Sequence, residues 1–184
     1  MKTQFPPVEI MSRRGCYSKE QVNSLSFIQN KQPIISIQTI LESEITMKDK
    51  QWFVFHNCEL SLEEKMSLLL RLVWAVLPMY EDKYPNDFRI RELLQAIEDF
   101  NQGKISKDIL LEKRQAAADS AAYATYAAAS AAYAAYAAAN SAAYGSYSAA
   151  YAAYAAADSA AAADSAYSME LQQILIEFTK KIEL

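Results

Sequence analysis

The sequence predicts an all-α fold, a bundle in which short N-terminal helices pack with long helices rich in alanine and tyrosine. Alanine, the strongest helix former, dominates residues 116–168. Elsewhere, apolar residues recur at helical spacing behind residues that cap helix N-termini. A sheet is not indicated for the alanine-rich part, because alanine is depleted in strands.

The length of 184 residues, 52% of them hydrophobic, predicts a single domain over residues 1–184. We divide it into three parts by composition. Residues 1–115 are a mixed-composition helical part, residues 116–168 form an Ala/Tyr/Ser-rich segment called the ladder below, and residues 169–184 form a C-terminal amphipathic helix.

Short helices joined by tight turns are expected in the first part. Ser18 and Gln21 have the spacing of a capping box, and the segment "SIQTILES" has apolar periodicity after Pro33. Ser61 and Glu64 form a second capping box ahead of a predicted helix that ends in the region of Pro78. Its apolar stripe is Met66, Leu70, Val73 and Leu77. We expect Leu70, Trp74 and Leu77 in the core.

The next two helices follow from similar signals. Asp87 lies near the start of the segment "NDFRIRELLQAIEDFNQG", and Gly103 is its predicted stop. The expected buried stripe is Ile90, Leu93, Leu94, Ile97 and Phe100. Ser106 then opens a helix through Ile109 and Leu110, which has no evident terminator before the ladder.

The ladder holds 30 alanines and 9 tyrosines in 53 residues, with no Lys or Arg. At 100° per residue, most of its tyrosines fall within about 80° of one another, and the opposite face is nearly pure alanine. A disordered tail has no reason to hold this phase, so the ladder is predicted to be folded helix. Its alanine face should pack inside the protein.

One continuous helix of this length would be about 80 Å long, whereas a compact chain of this size is about 40 Å across. The predicted breaks are Asn140–Ser141 with Gly145, and Asp158–Ser159. We expect two or three antiparallel helices packed on the N-terminal helices. A projecting helical hairpin or rod is the alternative.

The tyrosines have two roles that the sequence leaves open. Their rings can fill the core, with hydroxyl groups satisfied by Ser, Asn and Asp, or they can form a stiff aromatic surface that recognises a partner. The candidate partner-binding residues are Tyr133, Tyr136, Tyr144, Tyr147, Tyr151 and Tyr154. Arg89 and Arg91, beside Asp87, are added to them; their alternative role is an ion pair that joins two helices.

Composition excludes several classes of function. The net charge of −4 argues against a nucleic-acid partner, and the chain lacks the long apolar run of a membrane span. No metal-ligand spacing connects Cys16, Cys58 and His56. Adjacent carboxylates, such as Glu63–Glu64 and Glu98–Asp99, are expected on solvent-exposed helix faces. We expect a cytoplasmic protein that is not an enzyme and has no cofactor or metal.

The segment "LVWAVLPMYEDKYPNDFRIRELLQAIEDFNQGKIS", followed by "LEKRQAAADSAAYA" and the ladder, resembles the alanine-rich immunity proteins of bacterial polymorphic toxin systems. Their pattern is of the type "VLPxFExxxPxDxRPRxAIEAxxxxxxG". The matching positions are Val76, Leu77, Pro78, Tyr80, Glu81, Pro85, Asp87, Arg89, Arg91, Ala96, Ile97 and Gly103. The likeness covers residues 47–165, and Ile90 departs from it where the pattern has proline.

This resemblance implies a helical, cytosolic binding protein that neutralises a cognate toxin, with no catalytic residues. Two alternatives stay open from the sequence. One is a phage or mobile-element protein that captures a small ligand or signal. The other is a structural protein whose ladder drives self-assembly, which would make the chain a homo-oligomer.

Overall fold

The computed structural model describes residues 4–5, 34–121, 126–144, 155–156 and 165–182. Within these ranges the protein is an all-α bundle of seven helices, as predicted. The described strands are a two-residue pair, in which β1 (Gln4–Phe5) runs antiparallel to β2 (Ile35–Ser36). The helix predicted after Ser18 lies outside the described residues.

The helices, numbered in chain order, have the following bounds: α1 Ile37–Glu42, α2 Met47–Asn57, α3 Leu62–Glu81, α4 Arg89–Asn101, α5 Lys107–Ala121, α6 Tyr126–Tyr144 and α7 Ser165–Ile182.

Hydroxyl side chains cap the first three helices. Ser36 and Thr46 accept hydrogen bonds from backbone N–H groups of α1 and α2. At α3 the predicted capping box is present in both directions: Ser61 Oγ accepts from the Glu64 N–H, and the Glu64 carboxylate accepts from the Ser61 N–H at 2.7 Å. These bonds satisfy helix N–H groups that have no partner within the helix.

Helix α3 is the central element, because it packs against both α6 and α7. Its predicted stripe is buried, and so are further residues of the helix beyond that stripe: Leu68, Leu69, Leu72, Val76, Met79 and Tyr80. Trp74 is only half-buried, which corrects its placement in the core; its indole N–H needs a polar partner and reaches Glu98 at 2.8 Å.

Helix α3 ends at Glu81, three residues beyond Pro78 and in the region predicted. Pro78 lies inside the helix, which continues to Glu81. Proline lacks an N–H but keeps its carbonyl, and the Pro78 carbonyl accepts a hydrogen bond from the Asp82 N–H at 2.8 Å. The last turn of α3 is therefore closed in spite of the proline.

Helices α4 and α5 follow the sequence prediction closely. Four members of the α4 stripe are buried and Phe100 is half-buried. Gly103 has φ of +71°, the left-handed conformation that glycine adopts after a helix end. Ser106 Oγ accepts a hydrogen bond from the Ile109 N–H, at 3.4 Å, ahead of α5.

The described part of the ladder lies within the bundle. Helix α6 packs against α3, α4 and α5, so it does not project from the body as the alternative required. Its alanine face is buried, as predicted: Ala131, Ala132, Ala134, Ala135, Ala138 and Ala139. Because four residues separate α5 from α6, these two packed helices run in opposite directions.

One predicted break within the ladder was wrong. Helix α6 runs without interruption through Asn140 and Ser141. Ser141 Oγ donates to the Ala137 carbonyl at 3.0 Å within the helix, and Asn140 Oδ1 accepts from Arg114 at 2.6 Å, so neither side chain caps a helix. The predicted breaks at Gly145 and Asp158–Ser159 lie outside the described residues.

The C-terminal amphipathic helix is present as α7, which begins at Ser165, four residues before its predicted start. Leu171, Leu175 and Phe178 of α7 are buried where it contacts α1, α2 and α3. In the described body, α4, α5 and α6 contact one another and α3, while α7 joins α1 and α2 to α3.

Candidate functional site

Asp87 is the centre of a hydrogen-bond network that joins three helices. It lies just before α4, and its carboxylate accepts hydrogen bonds from the Tyr80 hydroxyl of α3 at 2.8 Å and from Ser120 Oγ of α5 at 2.5 Å. The two hydroxyl groups also contact each other. Arg89 completes the network with a bidentate pair to Asp87, at 2.9 Å from Nε and 2.6 Å from Nη2.

These contacts change the acidity of the groups involved. Hydrogen bonds from Arg89, and then from Ser120 and Tyr80, hold the pKa of Asp87 well below its ordinary range. Burial raises the pKa of Tyr80, whose side chain is almost fully inaccessible. Asp87 is therefore ionised and Tyr80 neutral at any physiological pH. Groups with fixed protonation states suit a structural role, in which these hydrogen bonds hold the helices together.

Arg91, two residues further along α4, belongs to a second network. Its guanidinium makes a bidentate pair with Glu81 at the end of α3, at 2.7 and 2.6 Å, and lies 5.5 Å from the centroid of the Trp74 ring. Trp74 in turn donates to Glu98. Arg91 thus ties α3 to α4, which is the alternative role that the sequence left open for it.

Arg89 and Arg91 keep exposed edges in spite of these pairs, with 44% and 51% of their side chains accessible. Each guanidinium group already donates two side-chain hydrogen bonds to a carboxylate of the chain. Arg89 donates to Asp87, and Arg91 donates to Glu81. A partner could stack on them or contact the remaining N–H groups, while their main contacts stay within the chain.

Two candidate tyrosines are described, and they differ in exposure. Tyr133 is 59% exposed on α6, whereas Tyr136, three residues later, is half-buried. The guanidinium of Arg114, from α5, lies 5.2 Å from the centroid of the Tyr136 ring and donates to Asn140 Oδ1. Tyr133, Tyr136 and Asn140 occupy one stripe of α6, because their spacing is three and four residues.

We call these four residues, Arg114, Tyr133, Tyr136 and Asn140, the Tyr133 patch. It combines an exposed aromatic ring with a tyrosine–arginine stack and an amide, on a helix whose opposite face is buried. Tyrosine and arginine are the residues most often found at the energetic centres of protein interfaces. The patch can therefore present a stiff surface that loses little entropy when it is covered.

The other candidate tyrosines are less informative. Tyr144 is the last residue of α6, and its side chain lies outside the described part. Tyr147, Tyr151 and Tyr154 also lie outside the described residues.

A groove of about 630 Å³ opens near the C-terminal end of α6, between that helix, the start of α3 and the end of α4. The described residues that line it are Leu62, Glu63, Met66, Ser67, Leu70, Glu98, Asn101, Gln102, Ser141 and Ala142. Leu62, Met66 and Leu70 give it an apolar wall, and Leu62 is 52% exposed. The groove adjoins the ladder but lies on a different face of α6 from the Tyr133 patch.

Sequence reasoning did not identify Arg114 and Asn140 as site residues. Asn140 was expected to end a helix, and Arg114 was not singled out. The available signal was that Arg114 is the last basic residue before a segment that has none, which makes it the nearest cation to the tyrosines. From the sequence, Glu63 and Glu98 were expected to lie on solvent-exposed helix faces. That both carboxylates line one groove depends on how α3 and α4 pack.

Within the described ranges, no group of three or more His, Cys, Asp and Glu side chains could hold a metal ion. The helices described here are also too short or too polar to cross a lipid bilayer. What the fold and the surface define is a helical bundle with an aromatic patch and an open groove. Comparison with protein-family models, curated proteins and solved structures gave no match.

Proposed function

We propose that this protein is a non-enzymatic binding protein, an immunity-type inhibitor that sequesters a protein toxin through the Tyr133 patch. The observation that carries the proposal is the exposure of Tyr133, at 59%, beside the Arg114–Tyr136 stack on a packed helix. An exposed tyrosine beside a tyrosine–arginine stack has the composition that is enriched at the energetic centres of protein interfaces.

The likeness to alanine-rich immunity proteins supports the proposal from the sequence side. The structure gives the matched residues a reason to occur together: Tyr80, Asp87 and Arg89 lock the turn between α3 and α4 to Ser120 at the start of the ladder. The motif in this chain therefore sets the position from which α5 and α6 extend.

The self-assembly alternative has less support. Packing between copies through alanine faces would need those faces free, but the alanine face of the described part of α6 is buried within the chain. Capture of a small ligand has support of its own from the groove, and it does not conflict with toxin binding.

The test is protection of cells. The candidate partner is the product of a toxin gene adjacent to the gene that encodes this chain, expressed in a sensitive bacterium together with the parent protein or with Tyr133→Ala. The proposal expects growth with the parent, and loss of protection with the variant at equal protein level. Protection by both proteins alike, or by neither, would count against the Tyr133 patch as the inhibitory surface.

A further inference from the structure

The groove between α3, α4 and α6 has a distinct chemical character. Of its described lining residues, the charged ones are Glu63 and Glu98, and none of these lining residues is a lysine or arginine. Its remaining described lining is hydroxyl, amide or apolar in nature. Leu62, Met66 and Leu70 of α3 form most of the apolar part.

Glu98 is a positioned group. Trp74 Nε1 donates to its Oε1 at 2.8 Å, which fixes the carboxylate at the groove and leaves Oε2 with a long contact of 3.4 Å to Gln95. Glu63 lies on the first turn of α3, where the helix N–H groups are already served by the Ser61–Glu64 capping box. The positive end of α3 is thereby partly neutralised.

The ends of two helices add to the negative electrostatic potential that the two carboxylates create in the groove. Helices α4 and α6 both approach the groove with their C-terminal ends, at Asn101 and Tyr144, and helix C-termini carry partial negative charge. Two carboxylates and two helix C-termini next to an apolar wall favour a ligand that is both cationic and apolar.

We propose that this groove binds a small amphipathic organic cation, a molecule with an ammonium or guanidinium head and an apolar body. The head would lie between Glu63 and Glu98, and the body would cover Met66, Leu70 and Leu62. The volume of about 630 Å³ is in the range of small-molecule sites. The lined stretch of α3 is about 12 Å long, which suits a small molecule better than a folded partner.

This inference does not depend on toxin binding, and it uses none of the residues of the Tyr133 patch. The test is a titration of ¹⁵N-labelled protein, followed by amide NMR shifts, with hexylammonium and with hexanoate. Each probe contains six carbon atoms in all, and the two differ in the sign of the charge on the head group. Saturable shifts are expected at Ser67, Gln102 and Ala142, with hexylammonium bound at least about tenfold more tightly than hexanoate.

Variants separate the charge contribution from the apolar one. Glu63→Gln and Glu98→Gln should each weaken hexylammonium binding several-fold, while Glu112→Gln, an exposed carboxylate on α5, should leave it unchanged. If Glu98→Gln proves unstable, Glu63→Gln serves alone, because Glu63 is exposed. Ser67→Trp should block the groove without a change in net charge, and abolish binding of the cation.

Three results would overturn the proposal. The first is equal affinity for the two probes, and the second is shifts that spread over the surface instead of the groove. The third is binding of a Lys- and Leu-containing peptide at these amides when hexylammonium produces no shift, which would assign the groove to a chain segment. Loss of toxin protection by Tyr133→Ala has no bearing on any of them.

Discussion

Ser120 and Asp87 are 33 residues apart in sequence, and Ser120 Oγ donates to Asp87 Oδ2 at 2.5 Å. Ser120 lies in the part of the ladder that belongs to α5, and Asp87 lies in the turn before α4. The hydroxyl of Tyr80 contacts both residues, so one carboxylate connects α3, α4 and α5. This connection fixes the position of the first ladder residues, which belong to α5, relative to α3 and α4.

The first prediction concerns this connection. Asp87→Asn should lower the free energy of unfolding by about 1–3 kcal/mol, because it removes charged hydrogen bonds that are mostly shielded from water. Denaturant unfolding followed by circular dichroism measures the change. The matched control is Glu92→Gln, which breaks the exposed Lys113–Glu92 pair between α4 and α5 and should cost less than about 1 kcal/mol. Equal effects of the two variants would contradict the role of Asp87.

The second prediction is the pH dependence of the difference in stability between the parent protein and Asp87→Asn. The pKa of Asp87 is lowered in the folded state, so its stabilisation is complete above the ordinary carboxyl pKa of about 3.9. As the pH falls below that value the unfolded state takes up the proton first, and the stabilisation declines. The gap between parent and Asp87→Asn should therefore shrink between pH 4 and pH 2, by urea unfolding. A gap that stays constant from pH 7 to pH 2 would show that the carboxylate charge is not involved.

The third prediction compares two leucines of α3. Leu77→Ala should cost about 2–5 kcal/mol, because Leu77 is 2% exposed in the core. Leu70→Ala should fall at or below the lower end of that range, because Leu70 borders the groove and water can enter the space that it leaves. Both values come from the same denaturant series. A larger cost at Leu70 than at Leu77 would mean that the groove is closed in solution.

The fourth prediction tests the close packing of α6. Ala135 is fully buried where α6 meets the other helices, so Ala135→Leu should overpack the contact and cost about 1–3 kcal/mol. Ala137→Leu, at a half-buried position of the same helix, should cost clearly less. Thermal unfolding of both variants measures the loss of stability that each substitution causes. If Ala135→Leu left the melting temperature unchanged, the alanine face would not be packed as described.

The helices of this protein were largely predictable, because their signals are local. The Ser61–Glu64 capping box, the stripe from Ile90 to Ile97 and the stop at Gly103 each depend on residues within one or two turns. Helix α2 was not predicted individually, since its buried residues Phe53, Val54 and Phe55 are contiguous and carry no helical period.

The site was less predictable, because its contacts join distant segments. Tyr136 is half-buried beside Arg114, which reaches it from another helix, whereas Tyr133 is exposed. For Asn140, the failure of the predicted break has the same origin, because Asn140 bonds to Arg114 from another helix. Ser141 instead bonds to the Ala137 carbonyl within α6. The roles of Arg89 and Arg91 were left open between a partner and an ion pair. The pair of Arg91 with Glu81 depends on how α3 and α4 pack, whereas Arg89 pairs with Asp87 only two residues away.

The fifth prediction addresses the binding surface itself. Tyr133→Ala should lower the affinity for the cognate toxin by about 2 kcal/mol or more if Tyr133 is an interface anchor. Its stability should change by less than about 1 kcal/mol, because the ring is mostly exposed and little packing is lost. Tyr133→Phe keeps the ring and should retain most of the affinity.

The measurement that tests the central claim most directly is a calorimetric titration of the toxin with the parent, Tyr133→Ala and Tyr133→Phe, with a melting curve for each preparation. The account predicts that Tyr133→Ala melts like the parent and binds at least about 30-fold more weakly. A Tyr133→Ala protein that binds as tightly as the parent would contradict the claim that this surface recognises the partner.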